Sequence, residues 1–248
     1  MKGRIRFFMV VLMLDMFLGG ICLTAVLSGA GRETADVPGG KLAVSSAGIP
    51  VSFSEKEPET EKTSEKLLAL TFDDGPHEKY TKKLLDGLRA RGVKASFFLV
   101  GENIPGKEAL VRQMAEEGHF IGVHCYSHVD LTSQDIDASC RDIRKTADMI
   151  EEITGKRPEY IRPPYGKWNE ALEECVEMLP VFWDIDTLDW KNQNSKKVLN
   201  HICKNAGKHQ VVLLHDVFST SVDAALAAVD TLEKQGYTFV TVEELLID

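Results

Sequence analysis

From Leu67 onward, short apolar runs alternate strictly with segments of helical period, and this alternation restricts the chain to an α/β architecture. The runs with strand character fall at 67–72, 95–100, 120–124, 159–162, 181–186, 211–215 and 237–240. Between them, helical segments are predicted at 80–91, 107–117, 134–153, 169–178, 195–206 and 221–235. Gly92, Gly118, Gly155, Gly207 and Gly236 follow these segments, where a helix tends to end on a residue that accepts a left-handed backbone. Thr132-Ser133-Gln134-Asp135 supplies capping side chains for the third. A β-α repeat of about 26 residues implies a parallel sheet, and seven units imply a closed or nearly closed (β/α) barrel. An open doubly wound sheet is the alternative.

The 248 residues, 44% hydrophobic and 27% charged, suffice for one sizeable domain without a disulfide scaffold. A net charge of -9, with no Lys/Arg cluster after the first few residues, argues against nucleic acid as a partner. Lys2, Arg4 and Arg6 precede an apolar stretch from Phe7 to about Val26, broken by Asp15, Gly19 and Gly20. Residues 1–30 therefore read as a signal peptide or a membrane anchor, with Ser28-Gly29-Ala30 suited to cleavage. Ile21 before Cys22 is too bulky for a lipid-attachment site. In either case the remainder is expected on the outer face of the membrane or in the cell wall. Residues 31–66, rich in Gly, Pro, Ser, Thr and Glu, read as a flexible linker, and 67–248 as the folded domain. Cys125, Cys140, Cys175 and Cys203 match no zinc ribbon; they are expected as four separate, mostly buried thiols, although export permits a disulfide, with three pairings open and none readable from spacing.

Polar chemistry collects at the predicted C-terminal strand ends, where a β/α barrel carries its active site. Asp73 and Asp74 end the first run; two adjacent carboxylates need a cation beside them or a shared proton, unless one merely caps the next helix. His124 ends the third, with His128 four residues on, a spacing that lets both imidazoles reach one ion. Arg162 to Gly166 ends the fourth, Asp186, Asp189 and Trp190 follow the fifth, and His215 with Asp216 ends the sixth. Two histidines and one carboxylate make the three-ligand set of a catalytic metal site with an open position. His119, at the opposite end of its strand, reads as structural.

TFDDG, HCYSH, RPPYG, DTLDW and LLH, in this order and spacing, resemble the five motifs of the polysaccharide deacetylase family, also called carbohydrate esterase family four or the NodB-homology domain. The resemblance spans residues 67–248 and implies a distorted parallel (β/α) barrel of about seven strands. It also implies a metal-dependent hydrolase, usually with Zn2+, that removes acetyl groups from N-acetylglucosamine in a polysaccharide. On it, Asp74, His124 and His128 bind the metal, and Asp73 is the general base, oriented by Arg162. The Tyr165 backbone N–H, set by Pro163-Pro164, stabilises the oxyanion. His215 is the general acid partnered by Asp189, and Trp190 and Leu213 line the acetyl pocket. Cys125 stands where the family usually has a Ser or Thr hydroxyl, and Val123 where Asn is frequent.

These expectations define a monomeric cell-surface enzyme acting on an N-acetylated polysaccharide, with peptidoglycan the substrate that its membrane-proximal placement favours. Chitooligosaccharides and exopolysaccharide are the rivals, and O-acetylated xylan a more distant one. A barrel that binds carbohydrate without turnover is the alternative of a different class.

Overall fold

The computed structural model describes residues 65–247. The expected signal or anchor at 1–30 and nearly all of the linker at 31–66 lie outside the described residues, as does Asp248. Among the described residues, no helix is long and apolar enough to cross a membrane.

The central strand is β1 (Lys66–Asp73), an apolar run buried on both faces, as a parallel strand covered on both sides must be. It is followed by α1 (Tyr80–Arg91), β2 (Ser96–Leu99), α2 (Glu108–Glu116), β3 (Phe120–Val123), α3 (Ile136–Thr154) and β4 (Tyr160–Ile161). Then come α4 (Glu170–Cys175), β5 (Leu179–Pro180), β6 (Ile185–Asp186), α5 (Asp189–Asn192) and α6 (Ser195–Asn205). The chain continues with β7 (Gln210–His215), α7 (Ser219–Leu232), β8 (Tyr237–Phe239) and α8 (Val242–Ile247). Every strand pair is parallel, in the order β5-β4-β3-β2-β1-β7-β6. Strand β7 runs along residues 68–73 of β1, so β2 and β8 divide its other edge, β8 at Lys66–Leu68 and β2 at Thr71–Asp73.

The expected distorted parallel (β/α) barrel holds as a curled half-barrel, open between β5 and β6. Of the run predicted as a single strand at 181–186, only Ile185 and Asp186 form strand (β6); β5, at Leu179–Pro180 just before it, lies on the opposite edge of the sheet, and residues 181–184 pass between the edges. Arg162 explains the break. Its Nε and one Nη donate to the Val181 and Phe182 carbonyls at 3.3 Å, so a side chain takes acceptors that a continuous strand would offer to a neighbour. α5 and α8, only 4 and 6 residues long, carry too little periodicity to have been predicted. Gly92 and Gly155 end α1 and α3 at φ 65° and 74°, as expected, whereas α6 ends on Ala206 with an ordinary backbone rather than at Gly207.

Alternation along the strands sorts the core into two layers. Leu68, Leu70 and Phe72 of β1 join Phe97, Leu99, Val212 and Leu214 beneath the helices. Ala69 faces the other way, onto Phe98, Val181 and Val211 inside the barrel. The same period of two then places Thr71 and Asp73 on the inward row of β1, and Leu213 and His215 on that of β7. The cysteines correct the expectation of four separate thiols: Cys140 and Cys175 form a disulfide, while Cys125 and Cys203 are free. α3 packs against α4 and brings the two Cα atoms to 6.2 Å, a proximity that a separation of 35 residues did not disclose.

Candidate active site

β1 and β7 lie in register with Asp73 opposite His215, so two titratable inward residues meet at the C-terminal rim of the barrel. Asp73 is 3% exposed, and its Oδ1 accepts from an Arg162 Nη at 2.9 Å; the same nitrogen donates to Thr71 Oγ1 at 2.6 Å. Arg162 is wholly buried, its guanidinium 4.2 Å from the Phe98 ring centroid. Burial pulls the guanidinium's pKa down and Asp73 counters it. One carboxylate oxygen is thus fixed by a single guanidinium nitrogen, while Oδ2 lies 3.8 Å from His124 Nε2, toward the cluster beside it.

That cluster is Asp74, His124 and His128. The Asp74 backbone turns left-handed at φ 72° directly after the strand, which parts its side chain from that of Asp73. Asp74 Oδ1 lies 3.5 Å from His124 Nε2 and 3.3 Å from His128 Nε2. It is buried without a hydrogen-bond partner. His124 Nδ1 donates to the Arg162 carbonyl at 2.6 Å, which leaves the Nε2 lone pair for the cluster. Burial lowers the His124 pKa and keeps the ring neutral, although Asp73 and Asp74 oppose it. One ligand atom from each residue lies within 4.8 Å of the others. An orphaned carboxylate oxygen facing two imidazoles is the donor set that a divalent cation satisfies, with a position left open.

The third group is Asp189 and His215. Asp189 is fully buried; its Oδ2 accepts the His215 backbone N–H and its Oδ1 the ring Nδ1–H, both at 2.8 Å. Burial pushes the Asp189 carboxyl up, but hydrogen bonds from His215 outweigh it and hold it below the usual carboxylate value. Burial likewise lowers the His215 pKa, and the Asp189 carboxylate more than offsets this, raising it to about 9. The ring is therefore cationic at neutral pH, with Nε2–H as a proton donor.

Tyr165, 64% exposed, sits at φ 59° after Pro163 and Pro164, its ring centroid 5.1 Å from that of His128 and its hydroxyl 3.4 Å from the His128 carbonyl. Trp190 is half exposed beside Asp189, and Leu213 is buried on the inward row next to His215. Asp73, Asp74, His124, His128, Arg162, Tyr165, Asp189 and His215 thus all come together at one rim. His119 is structural as expected: its Nδ1 accepts the Ala95 N–H at 3.1 Å.

Some residues of the site escaped sequence reasoning. Thr71 props Arg162, and Asn103 donates to the Asp74 carbonyl at 2.8 Å. Asp142, on α3, accepts from the Tyr126 N–H and Ser127 Oγ between the two histidines. Asp216 is fully buried, takes a hydrogen bond from Thr81, and has its pKa raised to about 7, mainly by burial. It also dictates Gly75, because a Cβ there would lie 2.5 Å from Asp216 Oδ1. No local pattern marks Thr71, Asn103 or Asp142; Asp216 had only its place beside His215.

Comparison with known proteins gives the family. The chain belongs to the polysaccharide deacetylase family, which it matches over residues 60–181. It is 38% identical over 187 residues to the peptidoglycan-N-acetylmuramic acid deacetylase PdaC of Bacillus subtilis, covering 75% of this chain but only 40% of that relative. It is 38% identical over 185 residues to a peptidoglycan-N-acetylglucosamine deacetylase of Bacillus cereus, covering 72% of this chain and 67% of that one. The solved structure of Bacillus subtilis PdaC superposes with a TM-score of 0.71, covering 73% of this chain and 90% of that structure.

Proposed function

We propose that the protein is a zinc-dependent N-deacetylase acting on amino sugars of peptidoglycan, N-acetylglucosamine above all, at the outer face of the membrane. The observation that carries this reading is the convergence of three groups at one rim: the Arg162-held Asp73, the Asp74-His124-His128 set and the Asp189-His215 pair. The names of the relatives support the polymer. The basic and then apolar N-terminal sequence, together with the Cys140–Cys175 disulfide, supports an exported, oxidising location.

Asp74, His124 and His128 would hold the metal. When bound, the ion supplies Lewis-acid polarisation of the acetyl carbonyl and acidifies a water nearby. Asp73, with Oδ1 immobilised by Arg162, takes the proton of the attacking water on Oδ2. The Tyr165 N–H, presented by the left-handed turn, stabilises charge developing on the carbonyl oxygen. His215 gives its Nε2 proton to the sugar nitrogen as the C–N bond breaks, releasing acetate and a free amine. Asp189 fixes the ring orientation and keeps the ring cationic beforehand. Exposed Trp190 and buried Leu213 border the acetyl methyl.

Mass spectrometry of muropeptides after incubation with the protein tests the substrate. Loss of acetyl from glucosamine residues supports the reading; loss only from muramic acid residues, or none, overturns the choice of sugar.

A further inference from the structure

The two histidine ligands come from one irregular loop, with Cys125, Tyr126 and Ser127 between them, and no helix or strand fixes its shape. Cys125 and His128 both hold left-handed backbones, at φ 56° and 49°, each costing on the order of 1–3 kcal/mol unless surrounding contacts enforce it. From below, the Gly101 and Glu102 N–H groups donate to the Cys125 and Tyr126 carbonyls at 3.0 Å. The loop's own donors remain. A thiol sits where a hydroxyl would be the better partner: the His128 and Val129 N–H groups face the Cys125 sulfur, a weak acceptor that Asp142 also contacts.

We infer that Asp142 is a positioning residue that sets the spacing of His124 and His128 and makes up for the weak hold of the Cys125 thiol. The inference rests on the reading of Asp74, His124 and His128 as a metal set. Both carboxylate oxygens are committed to the loop: Oδ1 accepts the Tyr126 N–H at 2.5 Å and Oδ2 the Ser127 hydroxyl at 2.8 Å. The anchor is itself anchored. Two residues earlier, Cys140 ties α3 to Cys175, and one turn later the Lys145 ammonium lies 3.2 Å from the Tyr126 ring centroid, so that one face of α3 holds this residue twice. Asp142 touches neither a metal ligand's side chain nor substrate; it acts on the loop that carries the ligands.

The test is a zinc titration of the full-length protein in detergent, by competition with a chromophoric chelator, beside amide hydrogen exchange of residues 125–128 in metal-free protein. Asp142→Ala raises the zinc dissociation constant about 10–100-fold and speeds loop exchange about tenfold, leaving the β1 amides unchanged. Asp142→Asn, which keeps one acceptor oxygen and guards against a folding defect, gives an intermediate loss. Adding Cys125→Ser to Asp142→Ala recovers about threefold or more of the affinity, because a hydroxyl accepts better than a thiol. Wild-type affinity and wild-type loop exchange in a folded Asp142→Ala variant would overturn the inference. Should the wild type take up no zinc, the metal reading falls, and loop exchange in metal-free protein still decides whether Asp142 holds the loop.

Discussion

Asp189→Asn exposes the acid-base logic most cleanly. The substitution keeps the size of the side chain but removes the charge that raises the His215 pKa to about 9. What then remains is burial, which lowers it, and weaker pulls from Asp73 and Asp74, so the ring returns to its ordinary 6.5 or below. At pH 7.5 the cationic fraction falls from about 0.97 to about 0.1, a loss of about tenfold in proton-donating enzyme, whereas at pH 6 the loss is only about 1.3-fold. Charge from a bound dication lowers both pKa values and leaves the difference between them. Acetate release followed from pH 5.5 to 10 therefore shows the alkaline limb moving down by about two units or more. Stability follows with its own sign. His215 is held above its unfolded value, so its contribution is fully present below about pH 6.5 and disappears as the pH rises through about 9. The melting-temperature gap between wild type and variant narrows over that window. An unmoved alkaline limb in a folded variant would refute the assignment of His215 as acid.

Replacing Arg162 by Met leaves Asp73 buried without its partner and should cost about 3–5 kcal/mol in urea unfolding; a loss below about 1 kcal/mol would mean that Asp73 is not held as described. Asp73→Asn should retain bound zinc yet lose acetate release, whereas His128→Ala should lose both; comparing metal content with turnover separates base from ligand. Gly75→Ala forces a methyl group against Asp216 and should lower the melting temperature by several degrees, which the further change Asp216→Ala would partly relieve. Breaking the Cys140–Cys175 bond with a double Ser substitution should cost about 2–4 kcal/mol, seen as a lower urea midpoint and matched by reduction of the wild type.

Much of the fold was legible because its period is regular. β1 reads as a buried run, and its alternation alone orients Asp73 inward once the register with β7 is known. The segment at 181–186 misled because apolar content cannot reveal that a distant guanidinium occupies its carbonyls. The site was legible where residues cluster in short motifs at strand ends, as with Asp73 and Asp74 or His124 and His128. It was illegible where support arrives from elsewhere: Asp142 looks like one more acid on a solvated helix, and Thr71 like one polar break in an apolar strand. The disulfide stayed hidden because four cysteines permit three pairings and spacing favours none.

The central claim is that Asp74, His124 and His128 make a metal site that powers deacetylation. Its most direct test is acetate release from peptidoglycan and from N-acetylglucosamine oligomers by protein stripped with a chelator, before and after one equivalent of zinc. The account predicts no release from the stripped protein and recovery on adding zinc, with Asp73→Asn silent throughout. Release that is indifferent to chelation, or none despite bound zinc, would contradict it.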